Sequence, residues 1–374
     1  MVYAADAHVV SGNLLMTFVA SGQRRTPLQR WFAAGLRQTL LDHGLDETTP
    51  DHAPRIVLHF ADRDAPRPFR RKAQASFVVS IVEGPEPPAG QILPALYPLL
   101  VRTLGNMVLY LVPTGERARA YIVTLEQGYF KIEDSDDRAF FTQIFERLHP
   151  LASAQLVINN EFHPDLEPEL WDGDEITTAL SEAGQRLDAL RLLPAAFPIE
   201  DLLPPRDMIH VRRLFGIGGL SYGNLSARKD AQRFWMSASG VNKGALRTVG
   251  RDILMVKGYD ADRNVMLLSV PPMIEPRRVS VDAIEHWMIY TSHPNVGAIV
   301  HVHAWMDGVA STQVQYPCGT RELAQAVSDL VDASPDPARA IIGLRNHGVT
   351  ITGPNLPDIL ERTEGRIIPR VPMS

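Results

Sequence analysis

Ala298-Ile299-Val300-His301-Val302-His303-Ala304 is the stretch on which the reading of this chain turns. Its apolar start predicts a buried strand, and residues two apart on a strand face the same side, so the imidazoles of His301 and His303 project together. A second segment, Ala340-Ile341-Ile342-Gly343-Leu344-Arg345-Asn346-His347-Gly348-Val349-Thr350-Ile351, reads as strand, turn, strand, with Gly348 permitting close backbone approach beside His347. Three histidines on two neighbouring strands would supply the three neutral nitrogen ligands of an open metal site. An isolated H-x-H pair is equally compatible with ordinary core or surface histidines.

Composition restricts what such a site can be. Cys318 is the single cysteine among 374 residues, which excludes an intramolecular disulfide and a Cys-rich zinc module and leaves histidines and carboxylates as ligands. Beside Pro317 and Gly319 the cysteine reads as a small turn residue, because no activating base accompanies it. With 45% hydrophobic and 21% charged residues the chain is of the soluble globular type, and a formal net charge of −6 gives no reason to expect nucleic acid as partner. No basic start followed by an apolar run opens the chain, and no stretch of roughly eighteen apolar residues lacks a charge, so the expected location is cytoplasmic, away from membrane.

Charge divides the chain near Pro204-Pro205: residues 1–205 carry 18 Lys and Arg against 27 Asp and Glu, whereas residues 206–374 carry 19 against 16. Residues 1–160 alternate helical spacing, as in Pro27–Leu45, with β-rich runs such as Arg55–Ala61, Ala75–Val82, Asn106–Val112 and Ala118–Ile132, which predicts an α+β domain. Its histidines have no ligand spacing, and its role is not legible. Residues 161–205, acidic and rich in proline, read as a partly ordered connector with a helix near Glu182–Leu193. Residues 206–374 form the remaining domain.

Upstream of the histidines lie Gly223-Asn224-Leu225-Ser226 and Ser237-Ala238-Ser239-Gly240-Val241-Asn242-Lys243-Gly244. Small residues with free amides and hydroxyls suit an anion, to which Lys243 adds charge, although such pairs also mark plain turns. Gly216-Ile217-Gly218-Gly219-Leu220-Ser221 falls short of a dinucleotide fingerprint because Ser221 takes the last glycine position.

The order of these elements, followed by an acid and a histidine before Tyr290 and His293-Pro294, then His-x-His-Ala and Asn-His-Gly, resembles the class II aldolase/adducin family over residues 207–366. The resemblance implies a three-layer α/β/α domain around a mainly antiparallel sheet, commonly a homotetramer. It implies that His301, His303 and His347 bind zinc or another divalent cation. Ser221, Gly223, Asn224, Ser239 and Gly240 fall on loops that hold the substrate's phosphate, and Ser280 precedes the acid. The activity implied is that of a lyase: retro-aldol cleavage of a small anionic hydroxy-carbonyl compound, a sugar phosphate or hydroxy acid, through a metal-stabilised enediolate. A metal-dependent epimerase or decarboxylase, or a non-catalytic adducin-like binding module, is the alternative.

Asp282 stands where the aldolases carry their catalytic glutamate. Glu285 is the second candidate, favoured less because only Asp282 shares a helical face with His286 by i, i+4 spacing; Asp282 as a plain helix cap is the competing reading. Val281 replaces a second phosphate-binding serine, and the loop that carries the aldolases' catalytic tyrosine is shorter here, with Tyr316 the nearby candidate.

Overall fold

Residues 77–82 read Phe-Val-Val-Ser-Ile-Val with no polar alternation, the pattern of a strand covered on both faces. The computed structural model describes residues 16–49, 52, 54–70, 76–125, 127–194, 202–215 and 222–372. Its first part contains β1 (Thr17–Ser21), α1 (Pro27–Asp42), β2 (Asp46–Glu47), β3 (Ile56–Phe60), β4 (Phe77–Glu83), α2 (Ile92–Thr103), β5 (Met107–Pro113), β6 (Ala118–Thr124), β7 (Gly128–Ile132) and α3 (Asp137–Ser153). The strands form one sheet in the order β2-β1-β3-β4-β5-β6-β7. Pairing is parallel from β2 to β5 and antiparallel for β6 and β7.

Helix α1 is capped by Thr26, starts on Pro27 and buries Leu28, Phe32, Leu36 and Leu40 at four-residue spacing. With α3 it covers the face that carries Val79 and Ile81, while α2 covers the face that carries Val82, Val108 and Tyr110. The α+β expectation for this part is therefore corrected: parallel strands between helices on both faces are an α/β arrangement. Uninterrupted Val/Ile runs, which need two covered faces, were the signal for it.

The remaining elements are β8 (Asn159–His163), α4 (Glu175–Ala189), α5 (Pro205–Phe215), β9 (Asn224–Arg228), β10 (Phe234–Ser237), β11 (Ile253–Asp260), β12 (Val265–Ser269), α6 (Ala283–Ser292), β13 (Ala298–Val302), β14 (Ala310–Ser311), α7 (Arg321–Asp332), β15 (Ile341–Leu344), β16 (Gly348–Gly353) and α8 (Leu356–Thr363). A second sheet runs β14-β15-β16-β13-β9-β10-β11-β12-β8. Its pairs are antiparallel except β12 with β8 and β14 with β15.

The boundaries expected at 161 and 206 shift. Strand β8 is the edge of the second sheet, and α4 places Leu180, Ala183 and Leu187 in that sheet's core. Its Asp174 cap also accepts from Lys229 Nζ and Trp235 Nε1, so the acidic stretch is tied to the second sheet by charge as well as by apolar burial. Conversely α5, expected in the last domain, packs Met208 and Val211 against α2, and Arg102 Nη2 meets Asp207 Oδ2 at 2.9 Å. No helix among the described residues is long and apolar enough to cross a membrane.

Candidate functional site

Strand register builds the site. Asn224 on β9 lies directly opposite His301 on β13, and His301 opposite Thr350 on β16, so three polar side chains form one row across adjacent strands. Helix α6 lies across this row. Asn224 Nδ2 donates to Asp282 Oδ2 at 2.7 Å, and Thr350 Oγ1 donates to Glu285 Oε1 at 2.6 Å. One row along, Ser226 Oγ meets His286 Nδ1 at 2.7 Å and the Tyr290 hydroxyl at 2.8 Å.

His303 follows the end of β13, and His347 closes the turn between β15 and β16. The ligand atoms of His301, His303 and His347 all lie within 4.8 Å of one another, and the Nε2 atoms of His303 and His347 are 3.0 Å apart. His301 Nδ1 meets the Val349 carbonyl at 3.1 Å, which fixes the ring and turns its Nε2 inward. That Nε2 is buried without a hydrogen-bond partner among the described residues. A buried, unpaired nitrogen costs free energy unless something satisfies it, and a cation shared by three imidazoles does so. The donor set therefore fits a divalent metal.

Two glycines let the backbone close around these rings. Gly348 brings β16 so near β13 that an added Cβ would lie 2.2 Å from the Val302 carbonyl oxygen. Gly223 has φ +75°, and its Cβ would lie 2.3 Å from the His301 carbonyl oxygen. Gly223→Ala is expected to destabilise the protein by about 2 kcal/mol or more through strain and backbone clash, read as a lowered denaturation midpoint.

Asp282 sits at the start of α6 but makes no side-chain cap bond. Its carboxylate accepts instead from Asn224 and, at 3.2 Å, from the Gly319 N–H. The capping alternative is thereby excluded. Glu285 faces the sheet as well, since i, i+3 positions share a helix face as i, i+4 positions do, so the two carboxyls flank the histidines together. Glu285 Oε2 is buried without a partner among the described residues.

Lys243 is buried within electrostatic reach of Asp282, His301 and His303, and burial lowers its pKa to about 8. Ser280 and Ser239 lie on adjoining backbone, with Ser280 N–H donating to Ser237 and Ser239 N–H to Arg278. Gly240, at φ +69°, has open space where a side chain would be. Ser221 lies outside the described residues. Tyr316 packs at the margin of the hydrophobic core, and Gln127 of the first sheet donates to its carbonyl at 3.3 Å.

Sequence reasoning missed two participants. Cys318, set aside as a turn residue, places its Sγ 3.1 Å from Nε2 and 3.3 Å from Nδ1 of His347, against the ring. Thr350 links Glu285 to the histidines, its Oγ1 lying 3.4 Å from His301 Nδ1. No local pattern announced either, because their partners are 29 and 65 residues away.

Burial sets the protonation states. It holds the pKa of His301 down to about 4, of His347 and His286 to about 3, and of His303 well below the ordinary value. It pushes Glu285 up to about 8, with the Asp282 charge adding to the rise, and raises Asp282 too. The unfolded chain binds protons at these histidines below a pH of about 6.5 while the folded state resists, so their contribution is present above that pH and lost on acidification. Raised carboxyl values act in the opposite direction, since the folded state then holds the extra proton. Four histidines outweigh two carboxyls, so the Tm of metal-free protein is expected to fall between about pH 6.5 and 5. Glu285→Gln removes part of the opposing contribution and makes the fall steeper.

Residues 210–365 match the family described as Class II Aldolase and Adducin N-terminal domain. The match falls on the C-terminal part of the chain, over the stretch in which the sequence resembles the class II aldolase/adducin family. Methylthioribulose-1-phosphate dehydratase from Leptospira biflexa serovar Patoc is 29% identical over 113 residues, 30% of this chain and 50% of that protein. The chain thus spans about half the length of the curated relatives it matches. Among solved structures, an L-fuculose 1-phosphate aldolase aligns at 17% identity over 51% of this chain and 81% of that one, with a TM-score of 0.35. L-fuculose-1-phosphate aldolase from Thermus thermophilus aligns at 18% over 50% and 86%, with a TM-score of 0.31.

Proposed function

We propose that this class II aldolase/adducin chain is a divalent-metal-dependent lyase acting on a small anionic hydroxy-carbonyl compound by retro-aldol cleavage. The supporting observation is two buried carboxyls, Asp282 and Glu285, beside a compact three-histidine cluster with a buried ammonium in reach. A divalent cation held by His301, His303 and His347 would polarise the substrate carbonyl and offset charge that develops as the bond breaks.

The remaining chemistry falls to side chains. Burial raises the Asp282 pKa and hydrogen bonds from Asn224 and Gly319 offset part of that rise, so its carboxylate is a strengthened base suited to take the proton from the substrate hydroxyl. Glu285, with a pKa near 8, keeps its proton at neutral pH and is suited to give it to the carbon left by cleavage. Lys243, mostly charged below its pKa of about 8, pairs with the substrate's anion, aided by Gly223, Asn224, Ser239, Gly240 and Ser280 and, by resemblance, Ser221. Zinc as the cation, a cytoplasmic location and homotetrameric assembly belong to the same proposal.

The match to a dehydratase favours a second reading, in which proton removal beside the carbonyl expels a hydroxyl and Glu285 protonates that leaving group. The two are separated by incubating metal-loaded protein with L-fuculose 1-phosphate and with 5-methylthioribulose 1-phosphate and analysing products by mass. Two carbonyl fragments support cleavage, and loss of water supports dehydration. An inverted centre at unchanged mass would assign an epimerase, and release of carbon dioxide from hydroxy acids a decarboxylase. Absence of turnover across this panel would sink the lyase reading.

A further inference from the structure

The first sheet reverses the direction of its connections between β1 and β3. In the order β2-β1-β3-β4-β5, the chain leaves β1 through α1 toward β2 on one side, and leaves β4 through α2 toward β5 on the other. The two helices cover opposite faces. Connections that diverge in this way leave a crevice between the carboxyl ends of β1 and β3, where open α/β sheets take their ligands. A cavity of about 510 Å³ occupies that place, lined by Arg25 and Gln29 after β1, Asp62 and Arg63 after β3, and Glu83 at the end of β4. Its size lies within the usual range for small-molecule sites.

The lining points to the chemistry of the occupant. Gln29 is only 9% exposed; its Oε1 accepts from the Arg25 N–H at 2.8 Å, and its Nε2 donors have no partner among the described residues. Phosphate, a common guest beside the first helix of such sheets, is poorly served here. Pro27 lacks an N–H, the Gln29 N–H is already taken by the Thr26 cap, and Glu83 accepts from the Thr26 hydroxyl at the same point. Arg25 is paired with Asp62 at 2.6 Å and Arg63 with Asp64 at 2.9 Å, which leaves Glu83 as the lining charge without a cationic partner among the described residues, so the wall disfavours an anion and presents that carboxylate as a further acceptor. What the wall offers is donors and acceptors side by side, and the hydroxyl is the neutral group that uses both.

We propose that this crevice binds a neutral, polyhydroxylated small molecule of monosaccharide to nucleoside size, independently of the histidine site. The test is titration of the full chain with D-ribose, adenosine and inorganic phosphate, followed by calorimetry or ligand-observed NMR. Expected is binding of at least one neutral probe at a Kd of about 1 mM or tighter, weakened about tenfold or more by Gln29→Leu and by Arg25→Ala. Lys243→Ala, in a short turn beside the other sheet, leaves it unchanged. Because Gln29 is buried, each variant's Tm is measured, and the exposed Arg25→Ala carries the test if Gln29→Leu unfolds. Binding of phosphate alone, binding untouched by Arg25→Ala, or no binding of either neutral probe overturns the proposal.

Discussion

His301→Ala is expected to abolish the proposed divalent-metal binding while leaving the protein folded. His301 is one of three histidines whose ring nitrogens already lie within 4.8 Å of one another, and its Nε2 has no hydrogen-bond partner among the described residues. Loss of an outer-sphere support alone costs 10–100-fold in metal affinity, so loss of a direct ligand is expected to cost at least about 100-fold. Wild-type protein dialysed against zinc should hold close to one equivalent, and the variant should hold little. Thermal unfolding gives a second readout: at a free zinc concentration about 100 times Kd, binding adds about 2.7 kcal/mol to wild-type stability, and the variant shows no such rise. The fold survives because the rows on either side of His301 keep their partners. A folded, metal-free wild type after zinc dialysis would remove the basis of the proposed chemistry.

Asp282→Asn is expected to lower kcat about 10²–10⁴-fold with metal content unchanged. The carboxylate accepts two hydrogen bonds from donors that do not need it to be neutral, Asn224 Nδ2 and the Gly319 N–H. An asparagine presents an N–H₂ where one of those donors points, at a cost of about 1–3 kcal/mol, so Tm falls too. Asn224→Ala separates the two effects. It removes the same hydrogen bond and costs comparable stability, yet leaves the base in place, so its kcat falls far less. Full turnover by Asp282→Asn would transfer the proton-handling role to Glu285.

Several elements were legible because their signal is local. Helix α1 follows from Leu28, Phe32, Leu36 and Leu40 at one helical repeat, with Thr26 and Pro27 as its start. Strands β3, β4 and β5 follow from short Val/Ile-rich runs. The run expected as one strand over Ala118–Ile132 is two antiparallel strands, β6 ending at Thr124 and β7 beginning at Gly128, and Thr124 Oγ1 accepts the Gln127 N–H between them. The helix expected at Glu182–Leu193 begins earlier, at Glu175, because Asp174 and Thr177 form a capping box there. The acidic stretch around it looked like linker because its prolines and charges were counted without the second sheet's Lys229, Arg233 and Arg263, which pair with Asp174, Glu167 and Glu161.

By itself, the sequence determined which residue types were available: three histidines with strand spacing, two carboxyls three residues apart, one cysteine, and a family resemblance limited to the C-terminal part. Periodicity along a single strand or helix needs only neighbours in the chain. The tertiary structure alone decided that Asn224, His301 and Thr350 stand in one row, that Asp282 and Glu285 both face it, that Cys318 lies against His347, and that strands β1 to β5 of the first sheet are parallel with a crevice between β1 and β3. Each of these depends on which strands pair and in what register. That choice is made by burial and hydrogen bonding summed over segments tens to hundreds of residues apart, and no local pattern carries it.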